Sequence, residues 1–557
     1  MSDAIAPEPT LRRRRWWPRL LLGVVAVVAA LVFGVTTASY PGSLGPHEAR
    51  YDVTVDGTVT VDLGPLGTLQ IDSTLPLDLG VHITVQEIPA SFVGLDEATT
   101  LQALSGDLSS YVQFFSAPRA VVRDVARGLA LDALVRTLVA LLVVIVAWGA
   151  GSTLLGAARR RELADRVRPH ERHLLMGGAI AVVVVLAASS GLEAARKDAE
   201  PAVAESVFDG TALEGARVTG RLGGVIDTYG RNALDAYERS KAFYARANAS
   251  LAAQWELTSA AVVERDRLFG SVPGDSSVRT ADPELVTVVV VSDLHCNVGM
   301  APLITTLVER SDASLVLDAG DTTINGTSVE QFCVSTFAHA VPDGVELVTS
   351  PGNHDSAETA QMYARAGAKV LDGEVVDVDG IRILGDDDPN QTRLGQGTSA
   401  GVRTADEEGA DLAATACDDD KGVDLLLVHT PWVGDATLEA GCAPAQVSGH
   451  LHRRTDPTQV GSGIRYISSS SAGATLNQAT VGPLHGTAEM TVLRWDPDAR
   501  RIVDYQVVQV TPDAKAHVRW PATWPTPVPV VPSSMAPGGT PATPTSAPSP
   551  GSVPSQP

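Results

Sequence analysis

Three long apolar runs stand out in the first third of the 557-residue chain. They cover residues 20–38, 134–155 and 174–192, and the only charged residue within them is Arg136, near one end of the second run. Because a helix needs about 20 apolar residues to cross roughly 30 Å of hydrocarbon, each run predicts a transmembrane helix. The first run also follows a basic segment, as in a cleaved signal peptide, but its length and the two later runs favour an uncleaved anchor.

Arginine-rich segments next to these runs set the expected orientation. Residues 1–19 contain the block Arg12 to Arg15, and the loop of residues 156–173 contains six arginines. Because basic loops remain in the cytoplasm, both segments are expected inside, and residues 39–130 and everything after residue 192 are expected outside. The four cysteines all lie in this outer part, where disulfides form readily; three pairings are possible, with buried free thiols as the alternative. They are Cys296, Cys333, Cys417 and Cys442.

Other segments predict smaller units. Residues 51–85 alternate apolar and polar positions with the period of half-buried strands, and Asp56-Gly57 is typical of a hairpin turn. We therefore expect a small extracytoplasmic β-rich module within residues 39–130. Residues 193–282 are mostly helix formers ending in a Pro-, Gly- and Ser-containing linker, which indicates a helical stalk. Residues 520–557 are rich in Pro, Ser and Thr, which is typical of a disordered tail.

Between residues 284 and 512 the pattern changes to short apolar runs that each end in a polar cluster. Residues 285–292, 313–318, 345–349 and 423–428 are such runs, and they indicate buried strands. Layered α/β folds bind ligands beyond the carboxyl ends of strands, so the clusters are expected at one sheet edge. They are Asp293-Leu294-His295, Gly320-Asp321, Asn353-His354-Asp355, His429 and His450-Leu451-His452.

Carboxylate, imidazole and amide groups of this kind bind first-row divalent metals. A single Asp-x-His is more often a surface pair than a ligand pair, but the five clusters in this order are not expected by chance. Together they resemble the calcineurin-like metallophosphoesterase family, and the resemblance covers residues 284–512. The abundance of Arg, Ala, Val and Gly is typical of a GC-rich bacterial genome, so a membrane-anchored bacterial member is expected.

The resemblance implies a four-layered α/β/β/α sandwich with two divalent metal ions (Mn, Fe or Zn) at the sheet edge. It implies seven ligands: Asp293, His295 and His452 for one ion, Asn353, His429 and His450 for the other, and Asp321 bridging both. His354 matches the family's catalytic histidine, and Asp355 matches the acid that orients it. The implied reaction is hydrolysis of a phosphomonoester or phosphodiester by a metal-activated hydroxide.

The net charge of −23 argues against a nucleic-acid backbone as a partner, because such proteins cluster positive charge. The expected partners are a phosphate-ester substrate and the lipid bilayer; the residues indicate no oligomeric state. An outer location favours envelope lipids or extracellular nucleotides as substrates. The alternative function is a non-catalytic, metal-binding envelope sensor or binding protein on the same fold, although such a protein has no evident need for His354.

Overall fold

The computed structural model describes residues 17–44, 47–86, 118–156, 214–269, 285–393, 397–475 and 483–528, with positions 159, 162, 203, 204 and 208. The predicted third membrane span, most of the arginine-rich loop, the linker before residue 285 and the tail after residue 528 lie outside the described residues.

Two apolar helices form an antiparallel hairpin. Helix α1 spans Trp17–Thr36, and α2 spans Pro118–Leu154. The end of α1 lies beside the first half of α2, where a Cβ on Gly34 would lie only 2.0 Å from Thr137 Oγ1, so glycine permits this close approach.

Within the described residues, one helix is long and apolar enough to cross a membrane, Val122–Leu154, and Leu22–Thr36 is a shorter apolar helix. The predicted spans at 134–155 and 20–38 fall largely in these two helices. Residues 118–130, expected in the β-rich module, belong instead to α2.

A seven-stranded sheet, the β-module, lies at the end of the hairpin. Its strands are β1 Ser39–Leu44, β2 His47–Thr54, β3 Thr58–Asp62, β4 Thr68–Asp72, β5 Gly80–Val85, β6 Val203–Ala204 and β7 Arg217–Val218. Their order is β1-β2-β5-β3-β4-β7-β6.

One expectation for this region is wrong. Asp56-Gly57 does not close a hairpin, because β5 lies between β2 and β3 and pairs with both. The segment expected to be a helical stalk does contain a long helix, Leu222–Phe269, but residues before that helix also form β6 and β7, and β7 pairs with β4.

The described residues between 285 and 528 form the C-terminal unit, against which helix α3 (Leu222–Phe269) packs. Its strands are β8 Val286–Val291, β9 Leu315–Asp318, β10 Glu346–Thr349, β11 Lys369–Val370, β12 Val376–Val378, β13 Ile381–Leu384, β14 Asn390–Arg393, β15 Gly397–Ala400, β16 Leu425–Leu427, β17 Ala445–Ser448, β18 Thr455–Val460, β19 Gly463–Ile467, β20 Ala488–Asp496, β21 Arg501–Val510, β22 Ala516–Val518 and β23 Ala522–Thr523. Helices α3 to α8 span Leu222–Phe269, Ala301–Ser311, Gln331–Ala338, Ala357–Ala366, Ala405–Asp418 and Asp435–Ala440.

Two large sheets of this unit pack face to face between layers of helices. One has the order β11-β10-β9-β8-β20-β21-β22, with β23 beside β21, and the other has the order β12-β13-β16-β17-β19-β18. Val288 and Val290 of β8 pack with Leu427 of the second sheet, whereas Val289 and Val291 face the helix-side core. A third core joins the second sheet to α7. The layers therefore follow the order α/β/β/α.

Helix α3 packs along the C-terminal unit. Its residues Tyr244, Leu251 and Trp255 recur at helical spacing and are buried in the same core as α4. Tyr244 Oη donates to Asn297 Oδ1 at 2.7 Å, and Ser250 Oγ accepts from the Ala516 N–H at 2.9 Å. The helix is therefore part of this unit's core.

The C-terminal unit continues beyond residue 512, where the sequence predicts its end. Strands β22 and β23 both pair with β21, and Trp524 is buried against Tyr466 and Tyr505. The expectation of a disordered tail from residue 520 is therefore wrong for residues 520–528, because sheet pairing and an aromatic contact hold this segment.

All four cysteines form disulfides. Cys296 pairs with Cys333 of α5, and Cys417 of α7 pairs with Cys442. The first bridge ties the residue after His295 to α5.

The C-terminal unit contacts the β-module and the start of α2 through α5 and the turn before it. Three polar contacts join them: Gln331 Nε2 donates to Tyr40 Oη (3.2 Å), Ser328 Oγ donates to Glu48 Oε1 (3.3 Å), and His339 Nε2 lies 3.9 Å from Asp124 Oδ1. The unit thus lies at the module end of the hairpin, away from Trp17 and Leu154.

Candidate metal centre

The candidate side chains all follow the carboxyl ends of strands. Strands β8, β9 and β10 are parallel neighbours, and so are β16 and β17, so their carboxyl ends meet at one edge of the two sheets. Asp293 and His295 follow β8, Asp321 follows β9, Asn353 to Asp355 follow β10, His429 follows β16, and His450 and His452 follow β17.

The backbone at five of these residues has a positive φ. The angles are 53° at Asp293, 39° at His295, 58° at Asp321, 73° at His450 and 48° at His452. Non-glycine residues rarely adopt this left-handed region, and such strain collects at functional sites. Each sharp turn directs its side chain toward the common edge.

One group of ligand atoms comes from Asp293, His295, Asp321 and His452, which lie within 4.8 Å of one another. The Nε2 atoms of His295 and His452 are 3.0 Å apart, and His452 Nε2 lies 3.4 Å from Asp293 Oδ1. Two carboxylates and two imidazoles therefore converge on one point.

A second group comes from Asp321, His429 and His450. Asp321 Oδ2 lies 3.1 Å from His429 Nε2, and Asn353 Oδ1 lies 3.1 Å from that nitrogen and 2.9 Å from His450 Nδ1. Asp321 therefore belongs to both groups.

Backbone carbonyls fix the orientation of three imidazoles. The Nδ1 atoms of His295, His429 and His354 lie 3.3, 2.6 and 2.7 Å from the carbonyl oxygens of Thr323, Ala319 and Ile324. A carbonyl only accepts, so each Nδ1 carries the proton and donates, which leaves Nε2 as the atom available to the site. The sequence carries no signal for these carbonyls, since any residue supplies one.

The two central carboxylates are buried. Burial raises the pKa of each carboxyl, but the imidazoles, chiefly His452 beside Asp293 and His429 beside Asp321, outweigh it and hold both pKa values below the ordinary value. Both groups are therefore anionic at neutral pH.

The pKa values of two imidazoles, His295 and His429, are shifted in opposite directions. Burial lowers the pKa of His295 to about 4, which keeps this ring in the neutral, metal-ligating form. At His429 burial also acts to lower the pKa, but Asp321 outweighs it and raises the pKa well above the usual value. The centre therefore attracts positive charge.

These donors fit divalent metal ions. Carboxylate, imidazole and amide oxygen donors suit Mn²⁺, Fe²⁺ and Zn²⁺. The buried Nδ1 of His452 has no hydrogen-bond partner among the described residues, so these residues leave one nitrogen of this ring unsatisfied. The facing Nε2 atoms of His295 and His452 also offer a lone pair to the same position, where a cation satisfies both.

Asp355 does not orient His354, contrary to the expectation. Its Oδ2 accepts from the N–H groups of Gly352, Asp321 and Thr322, and its Oδ1 accepts from the N–H and hydroxyl of Thr323. The carboxylate therefore shapes the turns that carry Asp321 and His354, and the Ile324 carbonyl holds the imidazole.

Sequence reasoning also missed Trp432, Thr392 and Arg393. Trp432 is 47% exposed, and its ring lies 5.3 Å from that of His450. Thr392 and Arg393 contact the loop of Asn353. None of the three belongs to a local motif, so only their position in space identifies them.

Comparison with known proteins gives a family match that spans the centre. Residues 286–454 match the family described as calcineurin-like phosphoesterase. No curated protein is a significant match to the chain.

Similar solved structures include an archaeal phosphodiesterase, a phosphatase from Mycoplasma pneumoniae and a dimetal phosphatase from Danio rerio. Their identities are 12%, 11% and 13%, and the matches cover 40%, 41% and 44% of this chain and 100%, 94% and 100% of theirs. The TM-scores are 0.26, 0.29 and 0.28, so these likenesses carry no argument about function. The assignment rests on the family match, which contains every residue of the two ligand groups: the chain carries a calcineurin-like phosphoesterase domain.

Proposed function

We propose that this protein is a dinuclear metallophosphoesterase that hydrolyses a phosphomonoester or phosphodiester at the outer face of a membrane. The observation that carries the proposal is the position of Asp321 in both groups of ligand atoms. One carboxylate shared in this way suits two adjacent cations. Asp293, His295 and His452 would hold one ion, and Asn353, His429 and His450 the other, with Mn, Fe or Zn as candidate metals.

The chemistry divides between the ions and His354. Bound divalent ions lower the pKa of water and neutralise charge on a phosphate ester. The Nδ1–H of His354 donates to the Ile324 carbonyl, so Nε2 is the nitrogen that delivers a proton to the leaving oxygen. The ring stands nearly perpendicular to that of His295, with centroids 4.9 Å apart, which keeps it beside the metal centre.

The hairpin supports an outer location for the domain. Trp17 and Leu154 lie at the same end of the antiparallel pair, and arginine-rich segments adjoin both in the sequence. By the positive-inside rule this end is expected in the cytoplasm, which supports an outer location for the β-module and the phosphoesterase domain. Two disulfides agree with an oxidising compartment.

The chain must also return across the membrane in this arrangement. Helix α2 is 37 residues long, or about 55 Å at 1.5 Å per residue. The chain leaves α2 at Leu154, at the cytoplasmic end, and yet Val203 lies in the sheet at the opposite end. The apolar run 174–192 falls in this connection, which supports a third crossing.

A reporter fusion tests the orientation. Alkaline phosphatase fused after Val528 is expected to be active, because it folds only outside the cytoplasm, and a fusion after Leu154 is expected to be inactive. The reverse pattern would refute the outer location.

The catalytic proposal is tested with the full chain in detergent or nanodiscs. We expect Mn²⁺-dependent hydrolysis of bis-p-nitrophenyl phosphate or p-nitrophenyl phosphate, and the ratio of the two rates separates diesterase from monoesterase activity. Loss of turnover in Asp321→Asn would support the proposal. Metal binding without turnover of either ester would favour the alternative of a metal-binding sensor.

A further inference from the structure

A two-stranded ribbon formed by β14 and β15 lies outside both large sheets and contacts the metal centre. Among the described residues, these two strands pair with each other and with no further strand. At the end of β14, the Thr392 N–H donates to the Asn353 carbonyl at 2.7 Å. The ribbon is therefore joined by its backbone to the loop that carries Asn353 and His354.

Thr392 also contacts the side-chain amide of Asn353. Asn353 Nδ2 donates to Thr392 Oγ1 at 2.6 Å, and Thr392 Oγ1 lies 2.8 Å from Thr398 Oγ1 on the paired strand. Because an amide nitrogen only donates, the Thr392 hydroxyl oxygen is the acceptor of the bond with Asn353 Nδ2. This arrangement holds Asn353 Oδ1 toward His429 and His450. In an amide side chain the oxygen, and not the nitrogen, is the atom that can bind a metal ion.

Arg393 holds the backbone of the same loop. Its Nη1 donates to the carbonyls of Asn353 (3.1 Å), His354 (3.2 Å) and Thr392 (2.8 Å), and its Nη2 donates to the carbonyl of Asp355 (2.9 Å). Three consecutive carbonyls of the loop thus converge on one guanidinium.

The guanidinium of Arg393 thus binds neutral carbonyl groups rather than a carboxylate, the group with which arginine forms its strongest pairs. Within the described residues, Arg393 donates hydrogen bonds to backbone carbonyls and forms no ion pair. The rigid fork of the guanidinium supplies several donors in a fixed geometry, which a lysine ammonium does not.

We propose that the ribbon is a positioning element for the metal centre, in which Thr392 sets the orientation of the Asn353 amide and Arg393 fixes the backbone that carries Asn353 and His354. The identification of Asn353 as a metal ligand rests on the proposed function. The ribbon's own role is decided by metal binding and does not depend on turnover.

The isosteric variant Thr392→Val tests the amide orientation. It removes the acceptor but keeps the side-chain shape, so Asn353 is free to turn its nitrogen toward the site. We expect calorimetric titration with Mn²⁺ to show about tenfold or more weaker binding of one ion, the range for partners that orient a ligand. Thr392→Ser restores the acceptor and is expected to restore the affinity.

A double-mutant cycle separates positioning from general damage. If Thr392 acts through Asn353, the effect of Thr392→Val disappears in an Asn353→Ala background, since the ligand to be positioned is absent. Equal effects in both backgrounds, or wild-type affinity in Thr392→Val, would overturn the role of Thr392.

Arg393→Lys tests the second half of the proposal, with Arg500→Lys as the matched control. Arg500 also donates to backbone carbonyls, those of Lys421 and Gly422, and pairs with Asp424, near the start of β16 and away from the centre. We expect Arg393→Lys to weaken Mn²⁺ binding and lower kcat with KM nearly unchanged, and Arg500→Lys to change neither. Equal metal affinity in Arg393→Lys and the wild type would overturn the role of Arg393.

The two proposals fail in different ways. A wild-type chain that binds Mn²⁺ but hydrolyses neither ester would refute the phosphoesterase activity and leave the ribbon's role to be decided by binding. Turnover in the wild type together with unchanged binding in both ribbon variants would refute the ribbon's role alone.

Discussion

The Oδ2 atom of Asp321 lies 3.1 Å from His429 Nε2, and the same oxygen lies 3.9 Å from His295 Nε2. The first imidazole belongs to one group of ligand atoms and the second to the other. Through this oxygen, a single carboxylate after β9 connects donors held by both large sheets.

We therefore expect Asp321→Asn to impair binding of both metal ions. The amide keeps the shape but removes the negative charge that the two proposed cations would share. Removing a ligand should cost more than removing an outer partner, for which the loss is about 10–100-fold in affinity. Metal content measured by mass spectrometry checks this, with Asp72→Asn in strand β4 of the β-module as a carboxylate control away from the centre. Retention of both ions in Asp321→Asn would contradict the shared role.

His354→Gln should retain both ions but lose turnover. A general acid contributes about 10²–10⁴ in rate, and His354 belongs to neither ligand group. The loss in kcat is expected to be smaller for p-nitrophenyl esters than for alkyl esters, because p-nitrophenolate leaves without a proton. Rates for the two ester types measured side by side test this. An equal loss for both would rule out proton delivery to the leaving oxygen.

We expect the folded protein to become less stable as the pH rises, because of Glu408. Burial, together with the adjacent Asp386, raises the pKa of Glu408 to about 8, so the folded protein keeps a proton that the unfolded chain releases near the ordinary value of 4.5. The free energy of unfolding therefore decreases between about pH 4.5 and pH 8, by at most about 1.4 kcal/mol per pH unit.

The variant Glu408→Gln removes this titration and keeps an acceptor for Arg403, which lies 2.8 Å from Glu408 Oε2. Thermal unfolding at pH 5 and pH 9 should show a smaller loss of Tm in this variant than in the wild type. Glu439→Gln, at an exposed position on helix α8, is the control. Parallel pH profiles for Glu408→Gln and the wild type would contradict the prediction.

The two disulfides should contribute similarly to stability but differently to metal binding. They close sequence separations of 37 and 25 residues, for which chain entropy predicts about 3–4 kcal/mol each. Cys296 follows His295 directly, whereas Cys417 and Cys442 lie on the far helix layer. We expect both paired Cys→Ala variants to lower Tm, and only the Cys296/Cys333 variant to weaken Mn²⁺ binding. Comparable metal affinity in the two variants would exclude support of His295 by the nearby bridge.

The local pattern was sufficient to locate the ligand clusters. Each short apolar run that indicates a buried strand is followed within four residues by one of the candidate Asp, Asn or His residues, so covalent order alone places these residues near strand ends. The α/β/β/α layering follows from the family resemblance, and the alternating burial along β8 agrees with it.

Partners distant in sequence were not predictable in this way. Asp56-Gly57 indicates a turn, but it does not indicate that β5 separates the two strands beside it. Likewise, Arg217 pairs with Asp72 across 145 residues, and the helix-forming character of residues 193–282 conceals β6 and β7.

The sequence by itself determined which residue types stand at the strand ends, where the apolar runs lie, and on which side the basic segments flank them. These properties depend on neighbours along the chain. Only the tertiary structure decided that Asp355 holds the turns rather than His354, that the Ile324 carbonyl orients the imidazole, and that Thr392 and Arg393 hold the Asn353 loop. The physical reason is that a hydrogen bond depends on distance and direction in space. The order of residues does not show which group a backbone carbonyl or a threonine hydroxyl will contact in the folded protein.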